Sequence, residues 1–353
     1  MASRAISVMM PPEPPQRLSI DHEALAANWR ALDRLSGSAS AGAAVKADAY
    51  GLGAAVAVPV LRAAGCRDFF VAHWNEAVEL AALLPPGESA VLHGPLTAGD
   101  SAFAKSLGVR PVINSLAQAR LWLDAGGGTC DLMVDTGINR LGLPMGELGD
   151  DAIARLEIDV LHSHLAAAED ETPQNEAQRL RWEEARRAVV HRRASLANSA
   201  GIVLGTAYHG DLTRPGLSLY GGVPCATLAG EIRQVVRPEA ALIQIRELQA
   251  GDAVGYNATF VAARPMRVGV VSLGYADGFL RCWSDKGVMR ADGQQLPVLG
   301  RVSMDMTVVD LAAAPHLKEG DWLSLDYALP EAAATSGLSQ YELLTLLGRR
   351  FSR

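Results

Sequence analysis

AAVKADAYGLG, residues 43–53, sets Lys46 at the end of a short apolar run and follows it with Tyr50, Gly51 and Gly53. Locally this reads as a strand with a polar end, turning through glycines into a helix. A lysine held at the mouth of a barrel to form a Schiff base would read the same way. The flanking sequence decides between the two.

From about 40 to 220, short apolar runs alternate with longer amphipathic segments. Strands are predicted at AAVKA (43–47), DFFVAH (68–73), SAVLHG (89–94), RPVIN (110–114), CDLMVD (130–135), IDVLHSHL (158–165), RASLANS (193–199) and near TAYHGD (206–211). Helical patterns lie between several of them, at 75–84, 115–126 and 172–190. Eight strands alternating with helices predict an N-terminal (β/α)8 TIM-like barrel, so the fold class is α/β plus β. Lys46, His73, His93, Asn114, Asp135, His164 and Asn198–Ser199 all close their strand runs. In a barrel those ends form one face, the face on which active sites are built.

After about 225 the pattern becomes short alternating strands with Gly, Pro and Asp turns, uninterrupted by helix until 339–351. The expected division is a disordered tail at 1–15, a barrel at 16–228 and a mostly β-strand domain at 229–353. A chain of 353 residues is long enough for two such cores. Net charge is −7 with the signs interspersed, which argues against nucleic acid or an anionic membrane surface as partner. Four scattered cysteines with no C-x-x-C pair argue against zinc or a disulfide framework. The N-terminus has no secretory pattern and no apolar run reaches membrane-spanning length, so a cytoplasmic protein is expected.

ANSAG (197–201) and RPGLSLYGG (214–222) follow the seventh and eighth strands, where barrels frequently bind phosphate through backbone N–H groups. Ser199 offers a hydroxyl and Gly216 a close backbone approach. A lysine after strand one and a phosphate cradle after strands seven and eight suit pyridoxal 5'-phosphate, with Arg214 able to face its pyridine nitrogen.

AVKADAYGLG, VDTGINRLG (134–142), HSHLAAAED (162–170), ANSAG, RPGLSLYG, GYADG (274–278) and GRVSMD (300–305) together resemble the motifs of the alanine racemase family, in that family's order. The resemblance runs from about residue 16 to the C-terminus. It implies that Lys46 binds the cofactor and is one catalytic base, and that Tyr275 is the other, contributed across a homodimer interface. It implies a network of His164 and Arg214 around Tyr275 and the ring. Arg140 would reach the cofactor or the substrate carboxylate, and Tyr50, Asn198, Ser199, Gly216 and Leu217 would surround the phosphate. Met304 and Asp305 would line the partner's site. The implied reaction is interconversion of L- and D-alanine, supplying D-alanine for peptidoglycan.

The chemistry is consistent with those roles. Racemisation removes an α-proton from one face and returns one to the other, which two groups on opposite sides achieve simply. Arginine carries only donors and stays charged, so a ring nitrogen facing Arg214 accepts a hydrogen bond and stays unprotonated. Of His162 and His164, only one is expected to face the barrel interior, taken as His164; His73 and His93 are expected to line the pocket. Four residues depart from the family pattern. Asp48 stands where asparagine is commoner, Met133 where many members carry a carbamylated lysine, Ser303 in place of a frequent cysteine, and Arg349 near a phosphate-binding tyrosine. A racemase of broader range (serine, lysine) and a fold-type III decarboxylase are the alternative enzymes. A non-catalytic cofactor-carrying barrel is the alternative from another class.

Overall fold

The computed structural model describes residues 12–353, so residues 1–11 of the expected tail lie outside the described residues. Seven parallel strands run in order from Ala43–Ala44 through Phe69–Val71, Ser89–Val91, Arg110–Ile113, Thr129–Asp135 and Glu157–His162 to Arg193–Ser195. Leu212–Thr213 pairs parallel with Ser40–Ala41, which continues across Gly42 into the first strand of that run. On its other side, Asp211 N donates to Ala194 O and Arg214 N to Ala197 O, both at 2.8 Å. The barrel is therefore closed. Its eighth strand lies just past the stretch expected for it, because Thr206–Tyr208 is a 3-10 turn between Gly205 and Gly210, both with positive φ. Gly210 is required there: a Cβ would sit 2.3 Å from the Ala194 carbonyl oxygen.

Phe70, Ala90, Val112, Met133, Val160 and Leu212 pack into one apolar cluster from six of the strands, and so fill the barrel interior. Beneath them the strand starts carry a buried ionic network. Arg110 reaches Asp131 and Asp68, each at 3.1 Å, and Arg193 reaches Asp68 at 2.8 Å and Asp159 at 2.7 Å. Buried charges of this kind persist only when paired on several sides. They close the base, leaving the opposite end of the barrel for the site.

The second sheet is antiparallel, with Val236–Leu248 as its long central strand. Met266–Val271, Thr307–Asp310, Gln294–Leu299, Val288–Ala291 and Trp322–Leu325 follow in order, and the last pairs back onto the first. Gln16–Ile20, which opens the span expected to be barrel, is hydrogen-bonded into this sheet against residues 236–240. Leu18 N also donates to Ser352 O at 2.8 Å, so both ends of the described chain meet at one edge. The helix Gln340–Thr345, capped by Ser339, leans from this domain over the barrel mouth.

Candidate active site

The first barrel strand ends in an unusual turn. Ala47, Asp48, Ala49 and Tyr50 all have φ between +53° and +56°, a left-handed helical turn built without glycine. Each such residue costs about 1–2 kcal/mol, so the surrounding structure must hold the turn in place. Gly51 N bonds back to Ala47 O at 2.8 Å, and Gly53 N to Asp48 O at 2.9 Å. The Asp48 carboxylate accepts from Ala54 N at 2.6 Å, at the start of the helix Ala54–Ala64. Asp48 thus satisfies an otherwise free helix N–H and places a negative charge at the positive end of the helix dipole. The turn points Lys46 and Tyr50 into the same space.

That space is a cavity of about 640 Å³ at the barrel mouth. Lys46, Tyr50, Arg140, His164, Asn198, Ser199, Arg214, Gly216 and Leu217, all nine barrel residues expected at the site, line it. Among the described residues no carboxylate lines it, so an anionic ligand suits it. Burial, then the Arg140 cation, lower the Lys46 amine below its ordinary pKa, with Glu76 opposing and Arg214 adding to the effect. Burial, reinforced by Arg214, Arg140 and Lys46, pushes His164 down to about 3, which keeps its imidazole neutral. Burial raises the Tyr50 phenol to about 12, so it is a protonated donor facing the cavity.

Arg214 is fully enclosed. Its guanidinium donates to Ser195 Oγ and to the Ser163 carbonyl at 2.5 Å, and burial lowers it to about 10, leaving it cationic at neutral pH. Among the described residues no carboxylate bonds to it, so its charge is directed at whatever occupies the cavity. The cradle at Gly216 is equally tight. Ser199 Oγ accepts from Gly216 N at 3.0 Å and Ser218 N at 3.3 Å, and a Cβ at 216 would lie 2.3 Å from Tyr50 Oη.

Tyr275, Met304 and Asp305 do not line the cavity of their own chain. They sit on two loops of the second domain that are hydrogen-bonded together, Tyr275 N to Ser303 O and Ala276 N to Met304 O, both at 3.0 Å. Arg281 lies 5.2 Å from the centre of the Tyr275 ring, Met304 is half exposed, and Arg350 ties Asp305 at 2.7 Å. Ser303, beside them, donates to Met306 O at 2.5 Å.

Several expectations change on the structure. His162 and His164 both face inward, because residues two apart on a strand share a face. His164 lines the cavity, whereas His162 is buried below it, edge-on to Phe70 and 3.2 Å from Asp131. His93 lines the cavity but His73 does not; it occupies the N-cap position of the helix Trp74–Ala81 without a side-chain capping bond and meets His93 edge-to-face at 4.3 Å. Asn114 is structural, donating to Leu92 O and Val112 O. Asp135 shapes the loop that presents Arg140, accepting from the N–H groups of Gly137, Ile138 and Asn139. That loop supports Arg140 where Met133 offers only apolar contact. Arg349 stays outside the cavity; Tyr341 and Thr345, from the helix Gln340–Thr345, enter it instead. Tyr341 lies 6.4 Å from the Tyr50 ring and donates to Glu169 at 2.9 Å. No local signal in the sequence marks this pair, since only the approach of the second domain brings them in.

The alanine racemase N-terminal domain model matches residues 20–224 and the alanine racemase C-terminal domain model residues 235–353. An alanine racemase of Acidiphilium cryptum is 42% identical, over 95% of this chain and 97% of its own. The alanine racemase structure from Bartonella henselae, with covalently bound pyridoxal phosphate, superposes with a TM-score of 0.88 at 36% identity, covering 97% of this chain and 99% of that one. The biosynthetic alanine racemase structure from Pseudomonas aeruginosa gives 0.85 at 34% identity, over 97% and 99%. With the two domain models matching residues 20–224 and 235–353, and the lysine turn and cradle in one cavity, this chain belongs to the alanine racemase family.

Proposed function

We propose that this enzyme, an alanine racemase, interconverts L- and D-alanine by a two-base reaction with pyridoxal 5'-phosphate bound in the cavity. The observation that carries the reading is the convergence of Lys46, Tyr50, His164, Ser199, Arg214 and Gly216 on one cavity without a carboxylate. The donor set fits the group: N–H and O–H donors gather at the Gly216 cradle, an amine with lowered pKa faces it, and among the described residues no acid bonds to Arg214. When bound, pyridoxal phosphate withdraws electrons from the substrate α-carbon and so acidifies its proton. Tyr50, Asn198, Ser199, Gly216 and Leu217 would hold its phosphate, Lys46 its carbonyl carbon and Arg214 its ring nitrogen. Arg140 would face the substrate carboxylate.

Freed from that carbonyl carbon by the substrate's own amine, Lys46 would take the α-proton on one face while Tyr275 would deliver its phenolic proton to the other, and the opposite direction would exchange the two roles. Neutral amine is needed for the first step, and burial with two nearby arginines favours it. Because Tyr275, Met304 and Asp305 lie away from their own cavity, we assign them to the site of a second copy in a homodimer with shared sites. The product would supply D-alanine for peptidoglycan, in the cytoplasm.

Purified protein should show visible absorbance and abolish the optical rotation of L-alanine. Lys46→Ala should lose the colour; Tyr275→Phe should keep it and lose about a hundredfold or more in kcat. Mixing the two inactive variants should restore up to about a quarter of wild-type activity, since a mixed dimer holds one intact site. A colourless wild type that pyridoxal phosphate cannot reconstitute overturns the reading.

A further inference from the structure

We propose that Glu76, which does not line the cavity, is a positioning residue for Lys46: its carboxylate grips the start of the left-handed turn and fixes where the amine and Tyr50 point. The inference rests on the reading of Lys46 as the cofactor-binding base. One oxygen of Glu76 accepts from Ala47 N at 2.6 Å, and the other accepts from Ala72 N at 2.7 Å and His73 N at 3.1 Å. A single carboxylate therefore ties the end of the first barrel strand to the end of the second. The turn needs such a tie. Its four residues, Ala47 to Tyr50, are all held in a backbone region that L-residues disfavour. Its far end is secured by Asp48, through Ala54 N and Gly53 N. Its near end, next to Lys46, is secured by Glu76.

Charge and position make opposite demands here, which lets an experiment separate them. The Glu76 carboxylate favours the protonated form of Lys46. Removing its charge alone would leave more neutral amine and speed the reaction of Lys46 with pyridoxal phosphate. Removing the tie would misplace the amine and slow it. Glu76→Gln does both at once, because its single carbonyl oxygen serves Ala72 N and His73 N best and leaves a nitrogen that cannot accept facing Ala47 N.

The experiment follows reconstitution of apo-protein with pyridoxal phosphate by visible absorbance, with borohydride trapping and mass spectrometry to locate the adduct. Glu76→Gln should reconstitute about tenfold to a hundredfold more slowly than wild type, with kcat falling more than KM changes. Adding Ala47→Gly should recover much of the loss, since glycine adopts positive φ without penalty. Reconstitution as fast as wild type, or faster, overturns the proposal, as does failure of the glycine to recover it. Circular dichroism checks folding, and Glu76→Asp, one methylene short of both strands, repeats the comparison if the glutamine variant does not fold. A wild-type adduct on a lysine other than Lys46 refutes the reading of Lys46 itself, whatever Glu76 does.

Discussion

Single residues divide into those whose role the sequence displays and those whose role depends on what approaches them in space. Gly216 belongs to the first group, since a glycine after the eighth strand already implies a close backbone approach. A Gly216→Ala side chain would push against the Tyr50 hydroxyl from 2.3 Å. It should weaken cofactor binding by about 1–3 kcal/mol, read by titrating apo-protein with pyridoxal phosphate. Asp48 was visible as a departure from the family motif, and its meaning is local: the carboxylate caps the next helix, a task an asparagine carbonyl can also perform. Tyr341 belongs to the second group. Nothing in SQYELL shows that a phenol will cross to the barrel and meet Glu169. Glu76 belongs to the second group as well, because nothing in HWNEA shows its bond to Ala47.

At the level of elements, periodicity located the barrel strands well because buried parallel strands read as short apolar runs. The eighth strand was displaced because two paired residues and a 3-10 turn leave no periodic trace. The left-handed turn after Lys46 was illegible for a different reason: alanine and aspartate do not announce positive φ as glycine does. The loops carrying Tyr275 and Met304 act as one element. A Cβ at Gly274 would lie 2.3 Å from Met304 O and 2.4 Å from Ser303 O, against the carbonyls that receive Tyr275 N and Ala276 N. Gly274→Ala should therefore part the loops. The expected outcome is retained visible absorbance, a fall in kcat and a loss of about 1–3 kcal/mol in unfolding free energy.

For the whole molecule, the base of the barrel sets a pH dependence. Burial is the main cause that pushes His162 from the ordinary 6.5 down to about 4. Between those values the unfolded chain binds a proton that the folded chain refuses, so stability present above pH 6.5 is lost as the pH falls toward 4. The expected slope is about 1.4 kcal/mol per pH unit from this group. Guanidinium unfolding at pH 7, 6 and 5 measures it, and His162→Gln should remove this group's share of the slope while leaving that of His164, whose pKa is lowered in the same sense. The pairing of Gln16–Ile20 with residues 236–240 and 352 has a consequence for synthesis. A ribosome delivers the barrel sequence whole while its leading strand still has no mate. That strand waits as an open edge until residue 236 emerges, and its contact with Ser352 forms only after that residue has left the tunnel. The two sections of the chain are therefore separable on paper but not by scissors: a barrel cut free at residue 228 would keep a strand belonging to the piece discarded.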